Sequence, residues 1–408
     1  MKQSILWTFA ALASAPNVYA WGAAGHEIVA TIAQIYLHPS TLNTVCEILD
    51  PGSSLRASPT STPCYISRIA SWADKVRRQP KYRYTASLHY VGAVDDHPSQ
   101  TCAFPGARGW NGKQDQNVLG AVRNTTETLV EYLDGGHGRD TAEEALKFLV
   151  HYVGDMHMPL HLTGRERGGN GVKVTFDGRV TNLHSLWDSL LIASSLRTLP
   201  YNYTRPFPKG STRLDVESHL RGAIYDPYVR RVLYEGLGIG PEEGRFTNDM
   251  NDWLLCPVPT SQPPSLWNSL QTVLGLSRVG DETRWDDDVL CPYAWGKQLH
   301  QLNCAFPVWP AELDLPPYNT SHVHSRSNEF EHVHDEENFK EFLSRPPRPH
   351  PDLLELDTPE YAGRLRNEWV VERLMAMAGV RLAGLLNGLF MDTQGLEGEY
   401  GSLPLILV

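Results

Sequence analysis

The stretch "FLVHYVGDMHMPLHL", residues 148–162, runs as an apolar helix and yet sets His151, Asp155, His157 and His161 among core-type residues. Buried imidazole and carboxylate groups are costly unless they are paired, hydrogen-bonded or coordinated to metal. Three explanations stand open: a structural hydrogen-bond cluster, an acid/base pair, or ligands for a metal ion. His151 and Asp155 are four residues apart and share one helix face. Pro159 ends the helix, so His161 lies just beyond it and can turn back toward the same cavity. The four-residue spacing recurs as His184 and Asp188 in "HSLWD". A helical His–Asp pair is also a common structural hydrogen bond, so spacing alone does not decide.

Outward from this stretch, apolar residues recur at helical spacing in 26–37, 118–133, 142–153, 184–197, 214–235 and 361–391. The one strand signal is "VKVTFDGRV", where Val172, Val174 and Phe176 alternate before an Asp177-Gly178 turn. The pattern predicts a mainly α fold, a single compact multi-helix domain over residues 21–408 with a small β-hairpin. Residues 236–287 and 307–358 read as long surface insertions; the second carries His322, His324, His332 and His334, read as a solvated loop.

Net charge of −11 argues against a broad basic face for duplex DNA. It does not exclude an enzyme that draws a phosphodiester into a metal-lined cleft, because bound cations reverse the local field. Residues 1–20 read as a secretory signal: Lys2, an apolar run, then Val18-Tyr19-Ala20. The mature chain is then expected to be secreted, extracellular and to begin at Trp21. Six cysteines (Cys46, Cys64, Cys102, Cys256, Cys291, Cys304) suit an oxidising compartment and up to three disulfides. Sequons at Asn124, Asn202 and Asn319 predict glycosylation on surface loops. Cleavage before Trp21 would also create an α-amine that loses its proton at little cost near neutral pH, with His26 close behind.

In order along the chain stand "WGAAGHEIVATIAQ", "IASWADKVR", "SLHYV", "FLVHYVGDMHMPLH", "GGNGVKV" and "NLHSLWD". Together they resemble the zinc-dependent single-strand nucleases of fungi and plants, the nuclease S-one/P-one family, whose fold is related to zinc-dependent phospholipase C. The resemblance runs from Trp21 to about Leu196 and resumes at "CPYAWGKQLHQLNC" and "AGVRLAGLLN". It implies three Zn2+ ions. Asp74, His89, His151 and one oxygen of Asp155 would hold the first. The amine and carbonyl of Trp21, His26 and the other oxygen of Asp155 would hold the second. His161, His184 and Asp188 would hold the third. His157 is not a ligand in the family and reads as a supporting or packing residue.

The same resemblance implies hydrolysis of single-stranded DNA and RNA to 5′-phosphate products, with 3′-nucleotidase action on nucleotides. Zinc-activated hydroxide would attack phosphorus, Asp74 would orient or deprotonate that water, and Arg77 would support the phosphate. Tyr90 matches an aromatic position of the family's base pocket, and Ser189 lies where it can touch phosphate. Gly92 departs from the pattern, standing where some members carry an acidic, base-reading residue, with Asp95 and Asp96 a little further on. Under the resemblance Cys102 pairs with Cys304, with Cys46–Cys64 and Cys256–Cys291 the natural remaining pairs. No membrane and no obligate protein partner are expected. Two alternatives stay open: a zinc-dependent phospholipase C, and a catalytically inactive zinc-binding secreted glycoprotein.

Overall fold

The computed structural model describes residues 21–50, 64–113, 115–256, 285–320 and 346–391. The proposed signal segment and the His322–His334 cluster lie outside the described residues. At the centre runs the helix Arg139–Met156, buried at every position from Phe148 to Met156. It packs against the helices Val118–Leu133, Ala23–Ile35, Pro39–Leu49 and Val370–Phe390. A short connection makes Val118–Leu133 its antiparallel neighbour, and Asn117 starts that helix by accepting the amides of Leu119 and Gly120. Such a cap contributes about 1 kcal/mol. The C-terminal helix Val370–Phe390 is buried on nearly all sides, as expected of a helix that is apolar all round.

The strands Lys173–Phe176 and Arg179–Asn182 pair antiparallel, Phe176 opposite Arg179. Asp177 and Gly178 both take positive φ, 51° and 66°, the twist that a two-residue hairpin turn requires. The hairpin delivers Asn182, whose side chain accepts the amide of Ser185 and opens the helical stretch carrying His184 and Asp188.

Three sequence expectations are corrected. The helix predicted over 214–235 begins only at Asp226, because Gly222 adopts positive φ and Pro227 occupies the first turn. The ranges 236–287 and 307–358 are not confined to the surface: Phe246, Trp253, Val308, Trp309 and Leu356 are buried in the core. Leu354 and Leu356 hydrogen-bond across to Thr175, extending the hairpin by a bridge. Asn124 is exposed, but on a helix rather than a loop; Asn202 and Asn319 are exposed in short turns. The disulfides Cys46–Cys64, Cys102–Cys304 and Cys256–Cys291 are formed. Among the described residues no helix is long and apolar enough to cross a membrane.

Candidate metal centre

The buried C-terminal end of Arg139–Met156 carries His151 and Asp155. Gly154 between them has a steric reason: a Cβ there would lie 2.6 Å from Nδ1 of His26, so glycine lets that ring close in. Asp74 comes from the short helix Trp72–Val76, His89 from the end of the 3-10 stretch Pro80–His89, and His161 from the turn Pro159–Leu162. His184 and Asp188 lie on Leu183–Ser185 and the π-helical turn Leu186–Leu190.

These side chains form three groups, each with nitrogen and oxygen atoms within 4.8 Å of one another: His26, His151 and Asp155; Asp74, His89 and His151; His161, His184 and Asp188. The Asp155 carboxylate is divided between partners. Its Oδ1 lies 3.3 Å from His26 Nε2, while Oδ2 lies 2.9 Å from His89 Nδ1 and 3.4 Å from His151 Nε2. Asp74 Oδ1 is 3.6 Å from His151 Nε2 and 3.7 Å from His89 Nδ1. In the third group His184 Nε2 is 3.2 Å from His161 Nε2 and 3.3 Å from Asp188 Oδ2. The rings of His26 and His151 stack at 3.8 Å, so the first two groups adjoin. Trp21 is fully buried, and the Gly22 amide donates to the Asp188 carbonyl at 3.0 Å, laying residues 21–22 against the third group.

Three of the imidazoles are tethered from behind. Nδ1 of His151, His161 and His184 donates to the carbonyls of Ala70, His89 and Gly168 at 2.7, 2.6 and 2.7 Å. A carbonyl only accepts, so each Nδ1 carries the proton and each Nε2 presents a lone pair to the cluster when the ring is neutral. Burial, then the charge of His151, drives His26 and His89 well below the ordinary histidine value; burial and then His184 do the same to His161. Burial pushes His184 down to about 4. Burial also acts to lower His151, but the Asp155 and Asp74 carboxylates outweigh it and raise it to about 9. Burial lifts Asp155 and Asp188 well above the carboxylate range. Asp74 stays below that range because His151 and Arg77 outweigh its desolvation.

The protein alone leaves this cluster unsatisfied. Asp155 Oδ1, Asp74 Oδ1, both oxygens of Asp188 and both nitrogens of His26 are buried without a hydrogen bond. Orphaned buried atoms of this kind are rare and call for an ion or water. Their N/O chemistry and convergence fit divalent cations, which would favour the charged carboxylates that burial penalises. A fourth group, Asp96, Cys102 and His300, differs: Cys102 is in a disulfide, and Asp96 is met by His300 at 3.0 Å, Thr163 and the Ala103 amide.

Around the groups, Arg77 is buried with Nη1 3.6 Å from Asp74 Oδ1. Tyr90 is 37% exposed and lines a cleft of about 430 Å3, so it is not a core residue. Gly92 lines the same cleft and cannot simply be exchanged for an acid, since its Cβ would meet Gly164 N at 2.4 Å. Asp96 turns to His300 and Thr163, and Asp95 packs against Gly106. Ser189 sits against Gly22, where an added Cβ would lie 2.7 Å from its Oγ. His157 stands outside the metal groups, between Val153 and Arg381. Asn111, Lys113 and Arg167 also line the Tyr90 cleft and were not singled out in the sequence; for Arg167 the glycine-rich "GRERGGN" after His161 was the available signal.

Residues 21–217 match the family described as S1/P1 Nuclease. Nuclease S1 of Aspergillus oryzae (strain ATCC 42149 / RIB 40) is 37% identical over 180 residues, 44% of this chain and 57% of that relative. Nuclease P1 of Penicillium citrinum is 37% identical over 171 residues, 42% of this chain and 58% of the relative. Endonuclease 3 of Arabidopsis thaliana is 35% identical over 190 residues, 46% and 59% respectively. The chain thus spans under two thirds of the length of these relatives. Residues 21–217, where all three buried groups lie, are thus similar to the S1/P1 nuclease family.

Proposed function

We propose that the chain is a secreted zinc-dependent nuclease that hydrolyses phosphodiester bonds of single-stranded DNA and RNA to 5′-phosphate products and also acts as a 3′-nucleotidase. The observation that carries this reading is the divided carboxylate of Asp155, one oxygen toward His26 and the other toward His89 and His151. Asp74, His89, His151 and Asp155 would hold one ion; Trp21, through its main-chain nitrogen and oxygen, His26 and Asp155 a second; His161, His184 and Asp188 a third. When bound, such ions neutralise phosphate charge and make water acidic enough to supply a nucleophile near neutral pH.

The chain's own residues supply the rest. Asp74, kept ionised by His151 and Arg77, receives a proton at its carboxylate. Arg77, held in place beside Asp74, contributes a guanidinium to a phosphate oxygen. Tyr90 offers a ring face to an unpaired base in a cleft of about 430 Å3, which a base within a duplex does not reach. The domain reading goes with this function: residues 21–408 form one catalytic unit, with insertions near 236–287 and 307–358.

The test is cleavage of single-stranded DNA and RNA, matched duplex and a phosphatidylcholine emulsion, with chelator and then with zinc restored. Chelator-sensitive, zinc-restored cutting of single strands is expected. Hydrolysis of lipid alone would transfer the site to the phospholipase reading, and no hydrolysis of anything would leave the ions a structural role. Protein verified to retain residues before Trp21 is expected to lose most activity, because its Trp21 nitrogen is then an amide.

A further inference from the structure

Away from the three groups, a second polar cleft of about 350 Å3 opens between the Asp226–Arg231 helix and the start of Val370–Phe390. Arg231, Arg245 and Arg366 line it, brought together from three separate segments. Arg231 and Arg245 both lie against the indole of Trp369, their Cζ atoms 4.3 and 5.3 Å from its centroid. The indole face attracts each guanidinium, but the like charges gathered around it repel one another, a cost that an anion offsets.

What the protein supplies in compensation is modest. Arg231 meets Glu235 at 3.2 Å and Arg366 meets Asp357 at 3.4 Å, both partly exposed pairs of the kind that contribute little. Arg245 makes no ion pair among the described residues; its hydrogen bond to the Asn367 carbonyl is long, at 3.5 Å. Glu372 also lines the cleft; its buried carboxyl faces the charge of Arg231 and is engaged with its own amide, Tyr228 and Ser195, so it offsets part of one arginine and leaves Arg245 and Arg366. A guanidinium carries five N–H donors, so these contacts leave donors for a ligand. The 21-residue helix Val370–Phe390 begins at the cleft, and its N-cap Trp369 gives no side-chain hydrogen bond. Its first turn already carries Glu372, whose carboxyl takes up that residue's own amide, so the arginines rather than the helix end supply the donors.

We propose that this cleft binds a phosphate group. A tetrahedral phosphate presents oxygens in several directions and can be met by guanidinium groups from three segments, whereas a carboxylate offers two oxygens in one plane. Its volume leaves room for more than the phosphate itself, so the group can be free orthophosphate or part of a nucleic-acid strand. Of the residues named, only Ser195 falls within the family match, and the site does not depend on the reading of the metal centre.

The experiment is calorimetric titration of the metal-loaded protein with inorganic phosphate at low, constant ionic strength, wild type beside R245Q/R366Q. Phosphate bound at the metal centre is common to both proteins and cancels in the comparison. The expected result is a phosphate site in the wild type that the variant lacks or binds at least about tenfold more weakly, with unchanged metal content. Equal binding by both proteins, or phosphate no better than chloride, would overturn the proposal. If the double variant does not fold, Arg245→Gln alone, at an exposed residue with no ion pair among the described residues, carries the same comparison. Displacement by a non-cleavable single-stranded oligonucleotide of the phosphate that the wild type binds and the variant does not assigns the cleft to nucleic acid; its absence assigns it to free phosphate.

Discussion

Asp155 and His157 lie two residues apart at the end of one helix, both without solvent exposure, and the protein treats them in opposite ways. His157 is complete: Nδ1 donates to the Val153 carbonyl at 2.7 Å, and Nε2 accepts from Arg381 at 3.0 Å. Arg381 in turn donates Nε to the Trp253 carbonyl and lies over Trp295. Asp155 is incomplete, with Oδ1 lacking any hydrogen bond and three imidazoles turned toward the carboxylate. Burial of polar groups is therefore not by itself the mark of a site. The mark is burial with the remaining valences aimed at common points.

The largest effect that would break this contrast is at Asp155. Asp155→Asn replaces the carboxylate that the proposed function assigns to two ions, so on that reading both are expected to be lost or weakened together while the one assigned to His161, His184 and Asp188 is kept. Activity should fall by about 10^3-fold or more, by loss of charge stabilisation at both positions. Metal analysis checks it, and a variant that still holds a full complement of ions would remove the bridging role. His157→Leu is the opposite experiment. It leaves Arg381 short of an acceptor in the core, at a cost of about 3 kcal/mol in denaturant unfolding. Metal stoichiometry should not change; a loss of metal would place His157 in the same system as Asp155.

Gly154→Ala sharpens the contrast within one turn. Alanine is the better helix former by about 1 kcal/mol, so the helix itself gains. The added Cβ, however, presses on His26 Nδ1. On the proposed ligand sets, affinity for the ion assigned to His26 should drop about 10- to 100-fold, while those assigned to His89 and to His184 are retained. Titration with a chelating indicator separates these steps, and three unchanged affinities would mean that His26 has room to move.

Much of this was legible in the sequence, for physical reasons. His151 with Asp155 and His184 with Asp188 are local, and helical periodicity fixes which face they share. The turn at Pro159 returns His161 toward the same cavity. What was not legible depends on tertiary contacts. The carbonyl of Ala70 that tethers His151 is 81 residues away, and Arg381, which completes His157, is 224 residues away. Nothing in "GDMHMPLH" distinguishes the satisfied histidine from the unsatisfied carboxylate. The arginine cleft was hidden for the same reason, since Arg231, Arg245 and Arg366 belong to no common motif. In 236–287 and 307–358 prolines and charges mask single large anchors such as Trp253 and Trp309, whose burial only the fold reveals.

The smallest effect is a pH dependence, and its sign follows from the same asymmetry. In the metal-free protein His151 is raised to about 9, so it holds a proton that the unfolded chain releases near 6.5. A raised value contributes stability fully present below about 6.5 and lost as pH rises through about 9. His26, His89, His161 and His184 are lowered, so their contribution is present above 6.5 and lost as pH falls toward their folded values, about 4 for His184. The two trends give the histidines of the metal-free protein their greatest combined contribution near pH 6.5. With metal bound the upper limb should reverse, because the cation competes with the proton on His151 and binds more tightly as pH rises from 7 to 9. Melting temperatures of chelated and zinc-loaded protein across pH 5 to 9 measure both limbs. Parallel curves above pH 7 would mean that His151 gives up no proton to metal, and the contrast with His157 would lose its electrostatic half.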